Sequence, residues 1–88
     1  MADVQVICIR KQPRPNPHEG ITHLGNFAGT WTKQSVIGWI EERSSTFFVM
    51  TGDRRADIAV IEGPNGKYLR SYADNAWNDD LLLLPECV

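Results

Sequence analysis

The chain has 88 residues, of which 42% are hydrophobic and 23% are charged, and its net charge is −2. This length predicts a single globular domain over residues 1–88, and the ordinary composition excludes disordered and fibrous classes. The acidic balance disfavours nucleic acid as a partner, because nucleic-acid-binding domains usually carry a basic excess. No apolar stretch approaches the roughly 18 residues that a membrane-spanning helix needs.

The N-terminal segment predicts a strand. Residues 3–10 form a short β-branched run that is apolar on both alternating sides, which is typical of a strand covered on both faces. Basic residues follow this run, whereas in a secretory signal they precede it. We therefore expect a cytoplasmic protein in which Cys8 and Cys87 are free thiols, because cytosolic disulfides are rare.

A proline-rich loop separates this strand from the next one. Residues 12–20 contain three prolines and a glycine, which excludes regular structure. Residues 21–26 then predict a second strand that pairs back on the first as a wide hairpin.

One helix is predicted over residues 30–43. Thr30 or Thr32 can cap its start by accepting a backbone hydrogen bond. An apolar stripe at helical spacing is formed by Val36, Trp39 and Ile40.

The C-terminal half predicts three strands in an antiparallel meander. Residues 45–52, 56–63 and 67–72 read as strands, and short turns rich in glycine, asparagine and aspartate join them. The remaining tail is irregular as far as the four leucines at 81–84.

The predicted fold is α+β, with element order β-β-α-β-β-β. It consists of an antiparallel sheet of about five strands with one helix packed on one face. A single helix leaves the second face uncovered, so we expect either residues 81–84 or a second copy of the chain to cover it. The four leucines are expected to lie against the sheet or across a dimer interface, and not in solvent. The predicted core consists of Ile7, Ile9, Val36, Trp39, Ile40, Phe48 and Val60.

Several segments carry a resemblance to a known family. These segments are the opening strand followed by HEGITHLG, the helical segment VIGWIEE, and the strand pair STFFV and ADIAVIEG. The most specific segment is KYLRSYADNAWNDDLLLLPEC. Across these segments the chain resembles small bacterial proteins of domain-of-unknown-function family 3892. The resemblance implies a bacterial or phage origin and no assigned activity, so it carries over no functional residues.

Two groups of residues are candidate chemical sites. His18, His23, Cys8 and Cys87 are zinc-type ligands, but their spacing matches no compact zinc motif, and a cysteine at a chain end is poorly placed as a nucleophile. Residues 74–80 are rich in carboxylate and amide oxygens, yet they lack the order of a calcium loop and are better suited to capping backbone. We expect no catalytic residue, no metal and no cofactor.

The fifth predicted strand carries the candidate binding surface. Its only aliphatic residue, Leu69, is expected to face the core, which places Tyr68, Arg70 and Tyr72 together on the opposite face, with Trp77 in the loop just beyond. Tyrosine, tryptophan and arginine dominate binding hot spots. The alternative is that the tyrosines only pack structurally or lie under the leucine tail.

The predicted function is a non-catalytic binding or protein-interaction module. Its expected partner is a protein or a second copy of itself, and not a membrane. The alternative is a nucleic-acid-binding or phage-associated accessory protein that uses the same arginine and aromatic surface. A hydrolase built on residues 74–80 is the third hypothesis.

Overall fold

The structure is a computed structural model and describes residues 2–87. It is mostly β, with 55% of the chain in strands and 15% in helices. The strands are β1 (Ala2–Gln5), β2 (Cys8–Lys11), β3 (Ile21–Asn26), β4 (Gly29–Thr32), β5 (Ser45–Thr51), β6 (Arg54–Gly63), β7 (Gly66–Ala73) and β8 (Ala76–Asn78). The helices are α1 (Lys33–Glu41) and a short 3-10 helix (Pro17–Gly20).

The strands form two sheets, so the predicted α+β fold with one antiparallel sheet and one helix on its face is wrong. A five-stranded sheet has the order β1-β5-β6-β7-β8, and a three-stranded sheet has the order β2-β3-β4. β1 is parallel to β5, and the other pairings between these eight strands are antiparallel. The meander β5-β6-β7 and the hairpin of β2 with β3 are as predicted.

The N-terminal segment passes from one sheet to the other. The backbone N–H of Val6 donates to the carbonyl of Phe48 in β5 at 2.8 Å, and the next N–H, from Ile7, donates to the carbonyl of Gly25 in β3 at 2.9 Å. Successive N–H groups of an extended chain point to opposite sides, so one segment can pair with a different sheet on each side. The single predicted strand over residues 3–10 is therefore two strands.

Helix α1 is shorter than the predicted span of residues 30–43, because β4 occupies the beginning of that span. Thr32 is the cap, and its Oγ1 accepts a hydrogen bond from the backbone N–H of Ser35 at 3.2 Å. Trp31 lies in β4 opposite Leu24 of β3, where its ring packs against the core. Within residues 2–87, no helix has the length and apolar character needed to cross a membrane.

The core lies between the two sheets and the helix. Ile9 and Val36 are buried as predicted, and Trp39, Ile40 and Val60 pack against the core while partly exposed. Two predictions are wrong. Ile7 is only half-buried, and Phe48 points to the outer side of the five-stranded sheet, because its neighbour Phe47 takes the inward position of the β5 alternation.

The leucine tail forms turns instead of an extended segment. Leu81 is fully buried in the core, and Leu82 and Leu84 pack against it partly exposed. Leu83 is 77% exposed in the single chain, so it does not lie against the sheet, and its predicted place at an interface between two copies stays a prediction. A turn conformation spaces the side chains around the segment and leaves one of them outside.

A disulfide bond joins Cys8 to Cys87, so the prediction of free thiols is wrong. The tail runs beside β2, where the N–H of Ile9 donates to the carbonyl of Pro85 at 3.0 Å and the N–H of Cys87 donates to the carbonyl of Ile9 at 2.9 Å. This pairing brings together two cysteines that are 79 positions apart. The missing side chain of Gly25 makes room, since a Cβ there would lie 3.1 Å from both sulfur atoms.

Candidate binding surface

The β7 alternation places the predicted residues on one face. Leu69 and Ser71 are fully buried on the core side of the sheet, whereas Tyr68, Arg70 and Tyr72 point to the other side. Trp77 lies in β8 and not in a loop, directly opposite Tyr72 in the antiparallel register. The structure therefore brings all four predicted residues onto one side of the five-stranded sheet.

We call this side the outer face. Besides the four predicted residues, it contains the residues that the strand register places next to them, namely Phe48, Asp57, Ala59 and Ile61. The rings of Tyr72 and Trp77 meet edge to face, with centroids 5.3 Å apart. Tyr72 is 36% exposed and Trp77 is 45% exposed, so this aromatic pair is accessible at the β8 end of the outer face.

Arg70 is held between its aromatic neighbours by two hydrogen bonds. Its Nε donates to the carbonyl of Asn78 at 3.2 Å, and its Nη2 donates to Oδ1 of Asp79 at 3.3 Å. The side chain is 29% exposed. The guanidinium is therefore oriented before any partner arrives, and part of its charge is already neutralised.

His18 joins this cluster, although nothing in its sequence spacing indicated it. Its Nε2 lies 3.2 Å from Oδ1 of Asp79, and its ring stacks against that of Tyr68 with centroids 6.5 Å apart. The residue is buried, and its Nδ1 has no hydrogen-bond partner among residues 2–87. Burial, aided by the charge of Arg70, lowers the pKa of His18 against the opposing effect of Asp79.

A second charged cluster lies at the β1 end of the outer face. Arg55 donates to both oxygens of Asp3 at 2.8 and 2.9 Å and to Asp57 at 2.9 Å, and its guanidinium lies 4.1 Å from the centre of the Phe48 ring. The hydrogen bond from Arg55 is the main reason that the pKa of Asp3 is lowered. Both arginines of the outer face are thus paired with carboxylates.

The oxygen-rich residues 74–80 serve the local structure. Asp74 and Asn75 form the turn between β7 and β8, with φ values of 54° and 61°. Asn78 accepts hydrogen bonds from Ser71 and from the backbone N–H of Asp80, and the Asp80 carboxylate accepts two from Arg54 at 2.6 and 2.7 Å. These oxygens face protein donors and do not converge on one point.

The candidate metal ligands are not assembled either. Cys8 and Cys87 are bonded to each other, while His18 binds Asp79 and the Nδ1 of His23 lies 2.9 Å from Oγ1 of Thr22. Among residues 2–87, no group of three or more histidine, cysteine, aspartate or glutamate side chains is arranged to hold a metal ion.

The fold and the outer face define a small, mostly β protein with two sheets, an internal disulfide and an accessible aromatic surface. The model of the family described as "Protein of unknown function (DUF3892)" matches residues 5–85, and the chain belongs to this family. The family resemblance predicted from the sequence is thus confirmed. No curated protein and no solved structure matches the chain.

Proposed function

We propose that this chain is a non-catalytic protein-interaction module that associates with a second copy of itself through the outer face. The observation that carries the proposal is the accessible pair of Tyr72 and Trp77 beside the oriented guanidinium of Arg70. These residue types supply most of the binding energy in characterised interfaces.

The geometry of the cluster favours binding at low entropic cost. Tyr72 and Trp77 are a cross-strand pair, so each ring already restricts the rotamers of the other. Arg70 is fixed by its bonds to Asn78 and Asp79. Because association normally costs free energy to immobilise interface side chains, side chains that are already ordered lose less when a partner binds.

The charges of the outer face favour a protein surface over a nucleic acid. Arg55 is paired with Asp3 and Asp57, and Arg70 is paired with Asp79. A polyphosphate backbone is bound by cations that are free to replace its counterions, and paired arginines serve this poorly. A symmetric contact between two copies needs a self-complementary patch, which a face with charges of both signs can provide.

The experiment compares two exposed aromatic residues by sedimentation velocity over a range of protein concentrations. Trp77→Ala removes the most exposed ring of the outer face, and the control Phe27→Ala removes a ring that is 98% exposed in the β3–β4 turn, outside that face. We expect the wild type and Phe27→Ala to dimerise as concentration rises and Trp77→Ala to stay monomeric. At low concentration, where all three are monomeric, they should melt at similar temperatures.

Two results would contradict the proposal. One is a wild type that stays monomeric up to roughly millimolar concentration, which is the weak end of measurable affinity. The other is equal dimerisation by Trp77→Ala and the wild type. Binding of a short DNA or RNA duplex that weakens steeply with salt and is lost in Arg70→Ala would favour the nucleic-acid alternative instead.

A further inference from the structure

A cleft with a volume of about 620 Å³ lies between the proline-rich loop, the start of α1 and the β6–β7 turn. It shares no residue with the outer face, so it is independent of the function proposed above. Its lining is made of Arg14, Pro15, Asn16, Glu19, Lys33, Pro64, Asn65, Gly66 and Lys67. The volume falls within the range of about 300–1,000 Å³ that is typical of small-molecule sites.

The cleft is locally basic in a chain whose net charge is −2. Three cationic side chains, Arg14, Lys33 and Lys67, reach it from three separate segments of the chain, and Glu19 is the one acidic residue of the lining. Lys67 is neutralised by Glu41 of the helix, with the two charged atoms 2.7 Å apart. Arg14 and Lys33 have no carboxylate partner among residues 2–87.

Hydrogen bonds fix the walls of the cleft relative to one another. Nδ2 of Asn65 in the β6–β7 turn donates to Oε1 of Glu19 in the 3-10 helix at 3.1 Å. Nζ of Lys33, the first residue of α1, donates to the carbonyl of Glu19 at 3.5 Å. The Asn16 side chain caps the 3-10 helix by accepting from the N–H of His18 at 3.1 Å. The cationic groups are thus carried by segments that are tied together.

We propose that this cleft binds a small phosphorylated sugar. A guanidinium and an ammonium without acidic partners suit a phosphate group, which Arg14 can contact through two parallel hydrogen bonds and Lys33 as a point charge. The carboxylate of Glu19 and the amides of Asn16 and Asn65 can bond sugar hydroxyls. The lining contains no aromatic ring on which a nucleobase would stack, which favours a sugar phosphate over a nucleotide.

The test is a titration of the wild-type protein with glucose 6-phosphate, followed through its backbone amide NMR signals. Glucose, inorganic phosphate and adenosine monophosphate are titrated in parallel to separate the sugar, phosphate and base contributions. We expect saturable shifts confined to residues 14–19, 33 and 64–67, with glucose 6-phosphate binding most tightly and glucose causing no shift. Arg14→Ala and Lys33→Ala should each weaken binding by about tenfold, the usual effect of losing a charged hydrogen bond.

Arg10→Ala is the matched control, because it removes the same charge from an exposed residue of β2 outside the cleft. It should bind like the wild type, and each variant should keep the wild-type pattern of amide signals elsewhere. The proposal is overturned by an absence of saturable shifts up to roughly 10 mM ligand. It is also overturned if Arg10→Ala weakens binding as much as Arg14→Ala, or if adenosine monophosphate binds more tightly than the sugar phosphate.

Discussion

His18 Nε2 and Asp79 Oδ1 lie 3.2 Å apart, which ties the 3-10 helix to the segment that follows β8. The same carboxylate oxygen accepts from Arg70 at 3.3 Å, so Asp79 serves a cation and a buried imidazole together. The other ring nitrogen of His18 is buried without a partner among residues 2–87. Protonating the ring would therefore place a second N–H where no described group accepts it, beside the positive charge of Arg70.

The stability of the protein should fall in mild acid because of this histidine. Burial lowers the pKa of His18 below its ordinary value of 6.5. At a pH between the pKa of His18 in the folded protein and its pKa in the unfolded chain, the unfolded chain binds more protons. The contribution of His18 to the free energy of unfolding is therefore complete above the unfolded-chain pKa, and it is lost as the pH falls from there through the folded-state pKa. Denaturant unfolding between about pH 7.5 and pH 5 should show this loss.

The variant His18→Gln provides the comparison, since it cannot titrate in this range but keeps a polar side chain near Asp79. Its free energy of unfolding should change less with pH than that of the wild type. Both proteins contain the same carboxylates, so the effect of carboxylate titration on stability cancels in the difference between their pH profiles. Parallel pH profiles for the two proteins would show that His18 is not the titrating group.

The neighbouring phenylalanines of β5 should differ in their contribution to stability. Phe47 is 2% exposed and packs against the rings of Trp31 and Trp39, with centroids 6.1 and 6.2 Å away. We expect Phe47→Ala to lower the free energy of unfolding by about 3–5 kcal/mol, as for other buried aromatic residues. Phe48→Ala on the outer face should cost clearly less in the same denaturant titration. A larger loss for Phe48→Ala would mean that the β5 register is shifted by one residue, and equal losses would also contradict the prediction.

The arginines at the start of β6 form a similar matched pair. Arg54 makes two short bonds to the carboxylate of Asp80, which is 8% exposed, whereas Arg55 binds the exposed carboxylates of Asp3 and Asp57. Arg54→Ala leaves a buried carboxylate without its charged partner, which should cost about 1–3 kcal/mol. Arg55→Ala should cost less, and high salt should reduce its effect further. Thermal melts at low and high salt measure both, and a larger loss for Arg55→Ala would contradict the prediction.

The disulfide should account for a large part of the stability. Cys8 and Cys87 close a loop of 79 positions, and in the loop-closure model a bond of this span stabilises by about 4.5 kcal/mol. The double variant Cys8→Ala/Cys87→Ala and the reduced wild type should show the same loss in denaturant unfolding. A wild type insensitive to reductant would indicate that the bond does not form.

Trapping of thiols in intact cells would also test the predicted cytoplasmic location, where such a bond would be kept reduced.

The elements that the sequence predicts well are those defined by local patterns. β3, β5, β6 and β7 are short runs that contain β-branched or aromatic residues and are bounded by turn residues, and both signals lie within a few positions of the strand itself. The orientation of Tyr68, Arg70 and Tyr72 was predictable for the same reason, because burial of Leu69 determines which side chains point outward.

The features that could not be predicted depend on contacts between distant segments. The N-terminal segment is apolar on both sides, a pattern that fits a central strand of one sheet as well as a segment shared by two sheets. Its pairing with both β3 and β5 shows that it is shared by two sheets. Residues 30–32 are predicted to begin the helix because threonine suits a helix start, whereas the packing of Trp31 favours a strand. The burial of His18 depends on the path of a proline-rich loop, which has no periodicity to read.

The bond between Cys8 and Cys87 also determines how the protein would respond to mechanical tension. A force that pulls on residues before Cys8 and after Cys87 would pass through the sulfur atoms and bypass the chain between them. Of the strands within residues 2–87, only β1 lies outside this covalent ring, where it pairs with β5 through residues Ala2–Gln5. Tension on the oxidised protein would detach this strand and then stop, whereas tension on the reduced protein would reach both sheets.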